Sequence, residues 1–243
     1  MFKRDPVAGE IVQVSLSRFR GFGLRPSALV RPKNPFVQLV KSLLNGGEVN
    51  PEGSPLDKYY KRVRPASAAA VVGLTKNHSL AKLPALGAVM PWYFSKPEEH
   101  LAAMRTGVIG YYLQHNKADW TLEDGHTQFG PVSDRKLESE IERFADLINS
   151  VRDNGYMYDV SPVLGNILWD DRGKKWVCDI KDGLHRVVVF AAFGMTTVPV
   201  RVLKTVDPVF VRRSASSEWT HVKSGLFTER QALKIFDAYV LGN

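Results

Sequence analysis

Between residues 178 and 202 the chain reads CDIKDGLHRVVVFAAFGMTTVPVRV. Within five positions it sets an acid (Asp182), a glycine (Gly183), a histidine (His185) and an arginine (Arg186) ahead of an apolar run. Each residue suits one part of handling a phosphate. A turn that opens a helix points free backbone N–H groups and a positive dipole end at an anion. Arg186 adds a fork of donors matched to phosphate oxygens. His185 donates a hydrogen bond or takes a proton near neutral pH. Asp182 accepts a proton from a hydroxyl or helps to hold a metal. The same four residues also make sense as a turn with no ligand, with Asp182 as helix cap and His185 and Arg186 as ion partners. Spacing alone leaves both readings open.

The flanking pattern says what must position these residues. WVCDI (176–180) has the composition of a strand, and SPVLGNILW (161–169) reads as another. The polar turn DDRGKK joins them, as in a hairpin. Gly183 permits a tight bend barred to other residues. In HRVVVFAAFG the run after His185 and Arg186 is apolar throughout and stops at Gly194. Three successive valines are poor helix formers, so periodicity does not separate helix from strand, but the closing glycine and the strand that follows favour a helix. TTVPVRVL (196–203) alternates Val198, Val200 and Val202 as a strand, with Pro199 expected at an edge or a strand start. Upstream, residues 133–156 carry the clearest helix in the chain. Leu137, Ile141, Phe144, Ile148 and Val151 form one apolar stripe, Ser133 is its cap and Gly155 its end.

DGLHRVVVFAAFGMTTVPVRV resembles the nucleotide-binding element of the ParB/sulfiredoxin superfamily, a Gly turn with His-Arg, a helix, a glycine and a Val-Pro strand. LINSVRDNGYMYDVSPVLG is similar to the helix and strand that precede it there. The resemblance covers roughly residues 135–203. It implies a small α/β (α+β) fold in which Gly183, Leu184, His185 and Arg186 cradle nucleotide phosphates. Members range from partition proteins that bind CTP and DNA, through sulfiredoxin, to kinases of free serine. Sulfiredoxin has its reactive cysteine just before the His-Arg pair. Leu184 stands there in this chain, and Cys178 reads as packing. Partition proteins continue into a helix-turn-helix domain, for which the 40 residues after Leu203 are too few. The kinase-like members keep an acid at the place of Asp182, which the resemblance makes the activator of an acceptor hydroxyl. It also implies a glutamate on the preceding helix. Glu138, Glu140 and Glu142 are the candidates, with Glu138 and Glu142 sharing a face at i, i+4.

The remaining features are less directive. The 243 residues carry a net charge of +8, and the excess is concentrated. Residues 1–64 hold twelve Lys and Arg against five Asp and Glu, a balance that attracts polyanions. Tyr60 beside Lys61, Arg62 and Arg64 offers a ring to stack on bases and cations to grip phosphates. It equally describes a helix face with snorkelling basic side chains. Asn34 and Pro35 predict a helix start closed by Gly46, Ser67 caps a short helix ending near Gly73, and a short helix is expected over 97–106. The chain after Leu16 is expected to break at Gly21, Gly23 and Pro26. DGHTQFG (124–130) reads as an ordered loop able to cover a pocket, with Trp120, Leu122 and Phe129 seeking burial. SEWTHVKSGLFTERQAL (217–233) reads as a docking segment whose final helix is capped by Thr228. The six histidines show no metal-ligand spacing, and no phosphate-loop or nucleophile-elbow motif occurs. No signal-peptide core and no membrane-length apolar run is present, so a cytoplasmic protein is expected.

These observations predict three parts: a basic wrapping region over 1–132, a nucleotide-binding core over 133–203 and a helical segment over 204–243. The leading functional expectation is ATP- and Mg²⁺-dependent phosphoryl transfer to a small hydroxyl compound, with Asp182, Glu138 and Glu142 as candidate catalytic residues. The alternatives are a nucleotide-responsive nucleic-acid module acting through residues 1–64, and a ParB-like nuclease.

Overall fold

The computed structural model describes residues 4–21, 33–47, 50–203 and 208–241. A six-stranded mixed sheet forms its centre, making the fold α+β. Two strands come from the N-terminal region, β1 (Ile11–Ser15) and β2 (Phe19–Arg20). Helices α1 (Pro35–Leu44), α2 (Pro55–Arg62), α3 (Ala68–Val71) and α4 (Pro97–Gln114) follow. The long helix α5 (Asp134–Asn154) leads to β3 (Val163–Asp170), β4 (Lys175–Asp182), α6 (Leu184–Ala192) and β5 (Thr197–Val202). β6 (Phe210–Arg212), α7 (Thr220–Lys223) and α8 (Glu229–Leu241) close the chain. Among the described residues no helix is long and apolar enough to cross a membrane.

The sheet runs β1-β5-β3-β4-β2, with β6 beside the far half of β3. β3 and β4 are the antiparallel hairpin expected from the DDRGKK turn. Neither the 132/133 nor the 203/204 boundary marks the limit of this sheet. β1 pairs with β5, β2 with β4 and β6 with β3, so chain from both flanks completes it. Pro199 lies in an interior strand rather than at an edge. It faces Gln13 of β1, one position before the parallel ladder between β3 and β5 starts at Val200. Its carbonyl accepts from the Tyr156 hydroxyl.

The apolar stretch after the bend folds as a helix because it is covered on two sides. Val187 and Phe190 of α6 pack on the sheet with Val163, Ile167 and Val198. Val188 and Val189 pack against α1 and α5 through Val37, Val40, Phe144 and Ile148. Helix propensity charges three valines roughly 2 kcal/mol in all. Burying them returns roughly 5–9 kcal/mol, so packing decides the conformation. The opposite sheet face, with Leu168, Val177 and Val211, is covered by residues 68–93 and α8 around Trp92, Trp219 and Phe236.

Capping reads true to the local signals. Asn34 accepts from the N–H groups of Phe36 and Val37, Ser133 from Lys136 and Ser67 from Ala70. Thr228 and Gln231 cap each other reciprocally at the start of α8. α4 continues eight residues beyond the expected end at 106, because Gly107 and Gly110 are accommodated within it. Phe129 is buried but Leu122 is exposed. The expected breaks at Gly23 and Pro26, and the charges of Lys3, Arg25, Arg31 and Glu48, lie outside the described residues.

Candidate functional site

The bend at 182–186 opens on a cavity of about 480 Å³ that runs along α5. Gly183 has φ +93°, and a Cβ there would meet the Arg186 guanidinium at 2.9 Å and Val163 at 3.1 Å. Only glycine therefore serves at this corner, for backbone and for space. Gly183 is itself the N-cap residue of α6, and no side chain caps the helix start. Its first-turn N–H groups thus lack intrahelical partners. Asp182, which the ligand-free reading of the bend makes a helix cap, accepts the N–H of Gly183 at 2.7 Å with one oxygen instead. Its other oxygen takes Arg186 Nη2 at 3.1 Å, and the carboxylate is largely exposed. The Arg186 guanidinium also donates to the Ser161 hydroxyl and to the Pro162 carbonyl, while its buried Nε has no partner.

Behind the bend lies a buried ionic network. His185 Nε2 is 2.7 Å from Oε2 of Glu140, and Lys136 Nζ is 2.6 Å from Oε1. The Thr127 hydroxyl donates to the same Oε1. Glu140 is 1% exposed and Lys136 2%. Burial alone would raise the Glu140 pKa, but His185 and Lys136 outweigh it and hold the carboxyl well below the usual range. The ionised carboxylate only accepts, so the hydrogen between the pair belongs to His185 Nε2. The loop DGHTQFG thus backs Glu140 from the side away from the bend. Its Asp124 is gripped by Arg135 through two oxygens, and that guanidinium holds it well below the carboxylate range.

The candidate glutamates separate by position. Glu140 reaches the bend residues. Glu142 lines the cavity with Asp146. Glu138 is exposed and is not among the residues lining the cavity, although it shares a face of α5 with Glu142 one turn further on. The nucleic-acid candidates also divide. Tyr60 is 2% exposed, with its hydroxyl donating to the Thr127 carbonyl, so its ring is not available to stack on a base. Lys61 pairs with Asp57 one turn back, Arg64 Nε donates to the Tyr60 carbonyl, and Arg62 is exposed. Cys178, on β4, is fully buried in the core with Ile167, Val187 and Phe190, and burial pushes its thiol far up.

The cavity has three zones. At its centre are Asp182, Gly183, His185 and Arg186. At the C-terminal end of α5 the wall is Val151, Tyr156, Met157 and Phe190, mostly apolar, with the Tyr156 ring 4.4 Å from that of Phe190. At the other end Tyr111, His115 and Lys117 from α4 and its exit face Ser139 and Arg143. Tyr111, His115 and Lys117 lie beyond the short helix expected over 97–106, and no pattern in the sequence singled them out. Mg²⁺ takes oxygen ligands, typically one or two carboxylates together with phosphate and water. Glu142, Asp146 and Asp182 line the cavity, and no three His, Cys, Asp or Glu side chains converge on a metal position among the described residues. That donor set fits an ion sharing its ligands with a bound phosphate, not a cage built of protein alone.

Comparison with protein-family models, with curated proteins and with solved structures finds no match for this chain.

Proposed function

We propose that the chain binds a nucleoside triphosphate, ATP in the first instance, in this cavity and transfers its terminal phosphoryl group to a small hydroxyl compound. One observation carries the reading: Arg186 and the uncapped start of α6 line the same cavity as Asp182. Three kinds of group that phosphoryl transfer needs then lie together, namely anion donors, a cation and a proton acceptor. The resemblance of 182–202 to the ParB/sulfiredoxin element supports it, as does the order of a helix, two strands, a Gly turn, a helix and a strand.

In this reading the first-turn N–H groups of α6 and the Arg186 fork hold the phosphates. Asp182 takes the proton of the acceptor hydroxyl, whose oxygen forms the new bond to phosphorus as the bond to the bridging oxygen breaks. The nucleoside diphosphate leaves with that electron pair. Glu142 and Asp146, which line the cavity, would be the residues to hold Mg²⁺, whose chemistry there would be to neutralise charge on the transferred group. Glu140 keeps Nε2 of His185 protonated and its ring fixed against α5. The apolar wall of Tyr156, Met157 and Phe190 suits a planar base.

A thermal-shift series with ATP, ADP, CTP and GTP in the presence of Mg²⁺ tests this. At least one nucleotide should raise the melting temperature, and Arg186→Ala should abolish the rise. Asp182→Asn should keep the rise and lose ATP turnover with an accepted hydroxyl substrate. Absence of any nucleotide-dependent shift in the unaltered protein would overturn the proposal.

A further inference from the structure

The α4 end of the cavity holds two cations that form no ion pair among the described residues. Lys117 Nζ donates to the Ser139 hydroxyl at 2.7 Å and sits 4.2 Å above the Trp120 ring. Arg143 donates to the Tyr111 hydroxyl at 2.7 Å, with its guanidinium 4.9 Å from that ring's centre. Both partners are neutral, and among the described residues neither cation has a carboxylate within ion-pair distance. The third basic group, His115, packs tilted against Tyr111 with ring centroids 4.4 Å apart. Burial, then Arg143, Lys117 and Lys136, all push its pKa down, which records the same excess of positive charge.

A structural role at the end of α4 does not account for them. The last carbonyls of that helix are taken by backbone N–H groups of His115, Asn116 and Lys117. Neither the Lys117 nor the Arg143 side chain bonds to one. Glu142 and Asp146 line the cavity as well, but neither reaches these cations. Lys117 and Arg143 both lie close enough to His115 to push its pKa down, and cations gathered in a partly desolvated wall repel each other unless an anion sits among them.

We propose that Lys117, Arg143 and the Tyr111 hydroxyl form an anion subsite separate from the bend, which takes a carboxylate or phosphate group on the second ligand of the cavity. The identity of that ligand as the phosphoryl acceptor rests on the reading above, but the subsite is defined by its own residues. The acceptor is then an anionic hydroxyl compound. Its charged group lies on Lys117 and Arg143, and its hydroxyl is directed along α5 towards Asp182. A neutral sugar or alcohol would leave both cations unpaired.

Trp120 supplies a local reporter, because its ring lies beneath the Lys117 ammonium. Inorganic phosphate and malonate are titrated into the full chain at low ionic strength, following tryptophan fluorescence and melting temperature. Both anions should give saturable changes. Charge-assisted hydrogen bonds of this kind make a loss of about tenfold in affinity the expected effect of Lys117→Gln or Arg143→Gln. Arg186→Ala should retain the anion response while losing the nucleotide shift, and Lys117→Gln/Arg143→Gln should do the reverse. Trp120→Phe should lose the fluorescence change and keep the thermal one. If no anion binds, or if binding survives the double substitution and disappears with Arg186→Ala, the subsite does not exist. The nucleotide arm is read independently in each case. A phosphate response without a malonate response assigns the subsite to phosphorylated acceptors, and the converse to carboxylates.

Discussion

Replacing Glu140 by Gln removes one negative charge from a nearly solvent-free position and changes little else in volume. In the native protein its two oxygens serve Lys136 at 2.6 Å, His185 at 2.7 Å and Thr127 at 2.9 Å. Gln retains one acceptor for Lys136 and Thr127, but its amide presents donors to the hydrogen of His185 Nε2. An ammonium that is 2% exposed is left without a counter-charge. Removing one partner of a buried ion pair costs about 3–5 kcal/mol, since the other charge stays desolvated. For a chain of this length that corresponds to a melting temperature lower by roughly 10 °C. Lys136→Met should cost a similar amount for the mirror-image reason. The double variant should be more stable than the sum of the two, by about 2 kcal/mol, because no unpaired charge remains. Equilibrium urea denaturation of all four proteins closes the cycle. A cost below about 1 kcal/mol for Glu140→Gln, or strict additivity, would show that the network is solvated and that the argument from burial fails.

Gly183→Ala should destabilise the fold by about 1–3 kcal/mol, since φ +93° is strained for alanine. It should also remove the nucleotide-dependent thermal shift, because the new methyl displaces Arg186; an unchanged shift would dissociate the bend from binding. Acid should weaken the protein before its carboxylates titrate. His100 and His126 have pKa values lowered to about 4, in both cases chiefly by burial, whereas the unfolded chain protonates them near 6.5. The unfolded state therefore binds more protons between these values, and stability falls as pH drops from 6.5 towards 4. The limiting slope is about 1.4 kcal/mol per pH unit for each histidine. Urea midpoints that stay level between pH 6.5 and 5 would contradict it.

Several elements were legible because their signals are local. The stripe from Leu137 to Ile148 with Ser133 before it and Gly155 after it specifies α5. Asn34 and Pro35 specify the start of α1, and the strand, glycine, apolar run and strand of 176–202 specify the path through the bend. Backbone geometry and capping chemistry act within four residues, so a single chain displays them. Glu140 was visible only as one of three glutamates on a helix. A Lys and a Glu four apart normally mark a solvated face. Lys136 and Glu140 are buried because the 121–130 loop and α4 pack over that face, which no periodicity records.

The sequence by itself determined the turn that makes an anion site conceivable: an acid, a glycine with no side chain to clash, and an arginine one helical turn after the acid. Tertiary structure alone decided what surrounds it. The sheet draws β1 and β2 from residues more than 140 positions upstream, and Tyr60 turns inward under the loop that backs Glu140. Lys117 and Arg143 come to face one cavity from separate helical regions. Such juxtapositions depend on which apolar faces bury one another, a property of the whole packed chain and not of any window along it.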